Sequence, residues 1–259
     1  QFSNTRIRLG AASLKVVNNP SGGTNVSNNA LWVRGSQLDA NALYAAYIYN
    51  NWTRVAAADN SVYIAKSTLR LNPYKDGNGQ EGIFAVRAAS QADGNWVEIT
   101  DSDLTVVASQ KGDAQYIEAV QAVESAEGNT TIVRDSNITS AATIYFSGAS
   151  ANLASDSVRA SSNSVFIGST NQDARMSINY IEDKIGTYIH GGRVYSTDAA
   201  TAVDASGNTV SIANLNVNST TVIRSGYIWG TGANGTISDN SVNIANSTFD
   251  GRVLLHGGA

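Results

Sequence analysis

The sequence predicts an all-β fold, a right-handed parallel β-helix of about seven coils, from three observations. A strand that follows an asparagine recurs along the chain at nearly even spacing. Each copy is followed by a second apolar signal at a nearly fixed offset, and later by a third. Apolar and polar residues alternate within these signals, which is typical of strands and not of helices. Three strands and three corners in each repeat describe one coil of a solenoid, whose apolar face becomes buried only when coils stack.

The asparagine-led strand is the most regular of the three signals. Its copies begin at Asn29, Asn60, Asn95, Asn129, Asn163, Asn208 and Asn240, with intervals of 31, 35, 34, 34, 45 and 32 residues. The alternation predicts inward columns formed by Val62, Ile64, Val97, Ile99, Val165, Ile167, Val210, Ile212, Val242 and Ile244. The fourth copy, which begins at Asn129, reads one residue out of phase. We expect the asparagines to form a corner column, because asparagine tolerates left-handed backbone geometry and can form amide ladders.

A corner of two small or polar residues separates the first signal from the second. Asp101 and Asp135 occupy equivalent corners of neighbouring coils, and β-helical polysaccharide-cleaving enzymes use clustered acidic residues. However, the same column begins with Gly35 and continues as Asn214 and Asn246. We therefore interpret it as a corner that needs turn-forming residues, and we predict no catalytic site.

The interval between Asn163 and Asn208 is about ten residues longer than its neighbours. Because the repeats on both sides keep their pattern, we expect residues 172–184 or 197–204 to bulge out of the coil as a loop. The repeats are not recognisable near the start of the chain. The sequence therefore predicts an irregular N-terminal segment or cap over residues 1–25 and a β-helix repeat domain over residues 26–259.

The third signal carries aromatic residues on both sides of an apolar residue. If that apolar residue faces inward, its neighbours face outward in two columns. One column would hold Tyr47, Tyr116, Tyr188 and Tyr227, and the other Tyr49, His190, Trp229 and His256. Rows of exposed rings suit sugar stacking or protein contact. We predict a binding face formed by Tyr188, His190, Tyr227, Trp229 and His256, the alternative being that the rings stack to support the sheet or are covered by loops.

The composition excludes several classes of protein and site. The chain contains no cysteine, so it has no disulfide, no thiolate metal site and no cysteine nucleophile. Its net charge is −4 and it has no basic stripe, which argues against a nucleic-acid partner. No apolar run is long enough for a helical membrane span. We expect no cofactor and no metal.

Late in the chain, a Gly-Gly pair, a spacer and a Gly-Asn-Thr/Ser-Val-x-Ile unit follow one another. They are seen in Gly191-Gly192 and Gly207-Asn-Thr-Val-Ser-Ile212. A second copy has the single glycine Gly230 and then Asp239-Asn-Ser-Val-Asn-Ile244, with aspartate in place of the later glycine. This pattern resembles the passenger-domain repeats of bacterial autotransporters (type V secretion, β-helix adhesin type). The resemblance is clearest over residues 160–259, weaker over 25–160 and absent from the first 20. It implies an extracellular or cell-surface location and a separate translocator β-barrel.

Three functions remain open at this point. The first is a non-enzymatic, adhesin-like binding scaffold whose partner is a host surface protein, a polysaccharide or other copies of itself. The second is a self-assembling subunit of an extracellular filament, because an open solenoid end exposes unpaired strand edges. The third is a polysaccharide-degrading β-helix enzyme.

Overall fold

The structure, a computed structural model, describes residues 1–8, 13–19, 25–48, 55–72, 81–107, 114–152, 157–181, 186–196, 202–230 and 234–258. In this part of the chain all regular secondary structure is β-strand, and every strand pairing is parallel. The strands form three sheets of eight, eight and twelve strands. No helix in the described ranges is long and apolar enough to cross a membrane.

The strands are numbered in chain order. The first sheet contains β1 (Phe2–Ser3), β4 (Ala30–Arg34), β8 (Ser61–Ala65), β11 (Trp96–Thr100), β14 (Thr130–Arg134), β18 (Ser164–Gly168), β22 (Thr209–Ala213) and β26 (Ser241–Ala245). The second sheet contains β2 (Arg6–Arg8), β5 (Gln37–Ala40), β9 (Thr68–Leu71), β12 (Asp103–Val106), β15 (Asn137–Ser140), β19 (Met176–Tyr180), β23 (Leu215–Val217) and β27 (Thr248–Phe249).

The third sheet is the largest, and it curls. Its strands are β3 (Leu14–Asn19), β6 (Leu43–Ile48), β7 (Ala56–Ala58), β10 (Glu81–Asp93), β13 (Ala114–Glu127), β16 (Thr143–Asn152), β17 (Ser157–Ser161), β20 (Gly186–Ser196), β21 (Ala202–Asp204), β24 (Thr220–Gly230), β25 (Asn234–Thr236) and β28 (Val253–Gly258). The chain therefore visits the first, second and third sheets in turn, and then returns to the first.

Each asparagine-led strand pairs in parallel with the one a repeat later, as the sequence predicts. Val62 pairs with Val97, and Val165 pairs with Val210. These four valines are at most 1% exposed, because they point into the apolar core enclosed by the three sheets. In the last repeat, Val242 is only partly buried and Ile244 is 39% exposed, so the prediction that they lie inward in the core is met less fully there.

The expectation that the fourth copy is one residue out of phase is wrong. Thr131 pairs with Val97 on one side and with Val165 on the other, so it takes the inward position while Ile132 points outward. The buried hydroxyl of Thr131 donates to the carbonyl of Ser147 at 2.7 Å and accepts from the amide of Ala119 at 2.9 Å. Because both of its hydrogen-bonding roles are satisfied, a polar residue is tolerated in an apolar column.

Two corners of the repeat use left-handed backbone geometry, with Ser169 after β18 as an exception at the first of them. At the corner between the first and second sheets, φ is 47–56° at Gly35, Lys66, Asp101, Asp135, Asn214 and Asn246. This confirms the interpretation of the column as a turn, because Gly, Asn and Asp adopt that conformation most readily. At the other corner, φ is 55–67° at Asn28, Asp59, Gly94, Gly128, Ser162, Gly207 and Asp239. The left-handed residue is thus the one before each ladder asparagine, and not the asparagine itself.

The ladder asparagines bind one another through their side chains. The Oδ1 atom of Asn129 accepts from the backbone N–H of Asn95 at 2.9 Å and from its Nδ2 at 3.0 Å. The same bonds join Asn60 to Asn95 and Asn129 to Asn163. The predicted amide ladder is therefore confirmed. A serine ladder, Ser36–Ser67–Ser102–Ser136, lies at the corner between the first and second sheets. The hydroxyls of Ser67, Ser102 and Ser136 each accept from the backbone N–H of the serine one repeat earlier, and that of Ser36 accepts from the N–H of Thr5.

The interval between Asn163 and Asn208 is longer than the others. Among the described residues, the extra ones are 170–175, which lie between β18 and β19, and all six are exposed. The expectation that 172–184 bulges as a whole is wrong, because Met176–Tyr180 lies in the second sheet, paired with β15 and β23. In the other candidate range, Ala202–Asp204 forms strand β21, and 197–201 lies outside the described residues. The exposed loop is anchored by the Asp135 carboxylate, which accepts hydrogen bonds from Ser169 and Thr170.

Residues 1–25 contribute strands to all three sheets. Phe2–Ser3 pairs with β4, Arg6–Arg8 with β5, and Leu14–Asn19 with β6, so these strands continue the order of the later repeats. The division of the chain at residue 25 stays a prediction.

Candidate functional site

A continuous stack of aromatic rings runs across the outer face of the third sheet. Neighbouring ring centroids are 4.7–6.4 Å apart along Tyr44–Phe84–Tyr116–Tyr145–Tyr188. The in-register pairing of Tyr116, Tyr145 and Tyr188 places these rings one above another. Each stacked pair contributes about 1 kcal/mol beyond the burial of its area. These rings therefore support the sheet: Tyr44 and Phe84 are buried, and Tyr116, Tyr145 and Tyr188 are partly buried.

The expectation that Tyr47 and Tyr227 share a column with Tyr116 and Tyr188 is wrong. Tyr47 pairs with Arg87, and Tyr227 pairs with Arg193. The long strands of the third sheet contain a pair of small residues near their middle, here called the small-residue step. The Tyr-Ile signal lies before this step in β20 and after it in β24, so Tyr227-Ile-Trp229 pairs with Arg193-Val-Tyr195. His256 and His190 do share a column, with Arg224 between them. Tyr49 lies outside the described residues.

The small-residue step is the Gly191-Gly192 pair and its equivalents. A Cβ atom on Gly192 would collide with the carbonyl of Ala160 and the side chain of Asn208, and one on Gly191 with the carbonyl of Ser225. β20 thus passes directly against Asn208 of the ladder, where these two positions have no room for a side chain, although Ala149 and Val120 occupy the column of Gly192 in earlier repeats. Beyond this step the side chains of the strand, with those of β17 and β21, enclose a second, small apolar cluster.

The two halves of the curled strands together enclose a cavity of about 370 Å³, here called the third-sheet groove. Its lining includes Tyr116, Gln121, Tyr145, Ser150, Tyr188, His190, Arg193, Tyr195, Arg224, Tyr227 and Trp229. Four of the five predicted site residues line it, whereas His256 does not. The volume is at the lower end of the range of about 300–1,000 Å³ typical of small-molecule sites.

His190 is the least expected member of the groove, because it is buried and not exposed as the alternation predicts. It is 3% exposed, and neither ring nitrogen has a hydrogen-bond partner among the described residues. Tyr188 and Tyr227 pack against its ring, at centroid distances of 6.3 and 5.5 Å. Burial, together with the charges of Arg193 and Arg224, lowers the pKa of His190 well below its usual value. The imidazole is therefore neutral at pH 7, with one donor and one acceptor unused.

Three arginines lie along the same face. The Arg224 guanidinium is 4.1 Å from the centre of the Tyr227 ring, and that of Arg193 is 5.8 Å from the centre of Tyr145. Arg87 donates to the hydroxyl of Tyr44 at 3.2 Å. With the other described residues, none of these arginines forms a salt bridge, although Arg193 and Arg87 interact electrostatically with Glu118.

Glu118 lies in the same column as His190 and is 1% exposed. Burial raises the pKa of Glu118 to about 7, although Arg193, the hydroxyls of Ser150 and Ser147, and Arg87 oppose this shift. At neutral pH the carboxyl group is therefore partly protonated, so it neutralises the arginines along this face incompletely.

The raised pKa predicts a pH-dependent effect of the substitution Glu118→Gln. Between pH 4.5 and about 7 the folded protein retains a proton that the unfolded chain has lost, so Glu118 makes the folded state less stable as pH rises through that window. We expect Glu118→Gln to raise the free energy of unfolding by up to about 3 kcal/mol at pH 8 and to change it little at pH 4.5. Thermal denaturation of the parent and the variant across this pH range measures the difference in stability. The titration of His190 changes stability in the opposite direction, but it occurs in both proteins and therefore cancels in the difference. A difference independent of pH would contradict the prediction.

Sequence reasoning named Tyr116, Tyr188, His190, Tyr227 and Trp229 as outward-facing residues. It missed Tyr145, Tyr195, Arg193 and Arg224, which also line the groove, and Glu118, which lies in the column of His190. The signal that could have revealed them is the Gly-Gly step. At this step the inward–outward alternation of the strand shifts, so residues before it and after it line the same cavity. Comparison with known proteins adds no relative: no family model, no curated protein and no solved structure matches the chain.

Proposed function

We propose that the chain is a right-handed parallel β-helix that serves as a non-enzymatic binding scaffold on a bacterial surface. The cyclic order of its three parallel sheets supports the β-helix, with one coil formed by each passage through them. The resemblance to autotransporter passengers supports the adhesin-like class and the extracellular location.

The observation that carries the binding function is the third-sheet groove. The aromatic stack ends there, and Trp229 remains 53% exposed while stacked on Tyr195 at 4.5 Å. Tyrosine, tryptophan and arginine around a partly enclosed cavity with unused hydrogen-bonding groups are typical of a binding site. We propose that the groove binds a saccharide chain of the surface to which the protein adheres.

The test is the double substitution Tyr227→Ser with Trp229→Ser. We expect binding to an array of immobilised neutral and acidic oligosaccharides to fall at least tenfold, because the variant loses the ring surface on one side of the groove. Self-association is measured by sedimentation on the same samples, which covers the alternative of a filament subunit.

The chain offers a matched control. Trp32 and Tyr63 form another stacked, partly exposed pair, with centroids 4.3 Å apart on the outer face of the first sheet. We expect Trp32→Ser with Tyr63→Ser to leave saccharide binding unchanged. Equal binding by both variants and the parent would exclude the groove as the site. If the groove variant fails to fold, the single substitution Trp229→Ser is tested instead. This side chain is more than half exposed, so its replacement should not prevent folding.

A second candidate function, polysaccharide cleavage, is favoured only by the raised pKa of Glu118. Glycoside hydrolysis ordinarily uses a pair of carboxyl groups that flank the scissile bond. Glu118 is not among the residues that line the groove, so this observation supports cleavage more weakly than the groove supports binding.

A further inference from the structure

The charges around the third-sheet groove are unbalanced. Arg193 and Arg224 line the groove, and Arg87 lies along the same face. The acidic residue that interacts with them is Glu118, which burial keeps partly protonated at neutral pH. The Nε atom of Arg224 is buried without a hydrogen-bond partner among the described residues. Arg193 and Arg224 are partly buried, and partly buried guanidinium groups pair well with carboxylates or phosphates, so the groove favours an anionic ligand.

The unused groups of His190 point to a ligand that also offers neutral hydrogen-bonding atoms. The imidazole lines the groove between Tyr188 and Tyr227, and both of its nitrogens lack partners within the described ranges. A buried polar group without a partner destabilises a protein by roughly 1–3 kcal/mol. Both nitrogens are buried, so a ligand hydroxyl group reaches one of them only when the packed ring of Tyr188 or Tyr227 moves aside, and it can then act as donor or as acceptor. Around it, the side chains of Gln121, Ser150 and the tyrosines add further neutral polar atoms to the lining.

The strands that line the groove argue against an extended peptide. β13, β16, β20 and β24 are each paired on both sides, so none offers the free edge that a peptide backbone would use. These four strands span three inter-strand steps of about 4.8 Å, or roughly 14 Å. The groove is therefore long enough for several linked sugar units, and a single terminal sugar would fill only part of it.

We propose, building on the function proposed above, that the ligand is an acidic saccharide chain whose uronic acid carboxylate binds between Arg193 and Arg224. Its hydroxyl groups hydrogen-bond to His190 and to the polar lining, and its apolar ring faces contact Tyr227 and Trp229 at the end of the aromatic stack.

The experiment is isothermal titration of the protein with a galacturonic acid hexamer, with its fully methyl-esterified form, and with hexaglutamate. The ester has the same chain and rings but no charge, so it isolates the carboxylate. We expect the acid to bind at least tenfold more tightly than the ester. We expect Arg224→Gln to remove most of that difference, and Arg193→Gln decides if the first variant does not fold.

Arg159→Gln serves as the matched control, because Arg159 pairs with Glu127 and Asp204 and does not line the groove. Equal affinities for acid and ester would overturn the acidic-ligand proposal and leave saccharide binding in place. Binding of hexaglutamate as tightly as the acid would show an acidic peptide site instead. Absence of binding to both saccharides would overturn this proposal. The array experiment with the groove variant then shows separately whether the proposed saccharide-binding function is also wrong.

Discussion

The substitution Ile99→Asp is expected to unfold the protein or to reduce its free energy of unfolding by at least about 4 kcal/mol, because it places an unpaired charge in the core. Ile99 is fully buried, and it pairs with Ile64 on one side and Val133 on the other. Ile99, Ile64 and Val133 all belong to the apolar core cluster, so a carboxylate at residue 99 is placed among apolar side chains.

Denaturation in urea, followed by circular dichroism, measures the change. Thr105→Asp is the control: Thr105 is exposed on the second sheet and pairs with Arg70, so a carboxylate there remains hydrated beside a positive charge. We expect that variant to differ from the parent by less than about 0.5 kcal/mol. A midpoint for Ile99→Asp close to that of the parent would mean that residue 99 does not face the core.

The substitution Asn129→Ala is expected to reduce the free energy of unfolding by roughly 4 kcal/mol, because it interrupts the amide ladder at its centre. The Asn129 side chain accepts from the backbone and the side chain of Asn95, and it donates to Ala92 and Asn163. Alanine would leave the N–H of Asn95 buried without an acceptor, since water does not reach this position.

Asn137 provides the control for this prediction in the same repeat. Its side chain is exposed and bonds to Asp103 at 3.3 Å and to Ser177 at 3.1 Å. Because water replaces these partners, Asn137→Ala should change the urea midpoint little. Similar losses for the two alanine variants would indicate that the ladder adds no more stability than surface hydrogen bonds do.

The sequence predicted the first sheet well because its strands are short and separated by a fixed corner. Val62, Val97 and Val210 are buried in parallel columns, and each preceding asparagine joins the amide ladder. Thr131 was misread because a threonine at an inward position looks polar in the sequence. Only the structure supplies the carbonyl of Ser147 and the amide of Ala119 that satisfy its hydroxyl.

The third sheet was predicted less well, because its long strands change face partway along. Tyr188-Ile-His190 lies before the Gly-Gly step and Tyr227-Ile-Trp229 lies after the equivalent step, yet the two segments look alike in the sequence. Alternation alone therefore exposes His190, which the structure buries. The closeness of Arg193 to Tyr145 depends on pairing between strands about forty residues apart, which no local pattern reveals.

The spacing of the strand pairs has a mechanical consequence. Within the described ranges, each strand pairs only with strands one repeat earlier and one repeat later, so no strand pairing there joins repeats that are further apart. A load that pulls on one end of the chain is expected to detach the outermost repeat first, because its strands are paired on one side only, and the next repeat follows. A repeat of 34 residues releases roughly 110–120 Å of extended chain when it detaches. The molecule therefore yields to tension in steps, dissipating energy at each one while the remaining repeats stay folded.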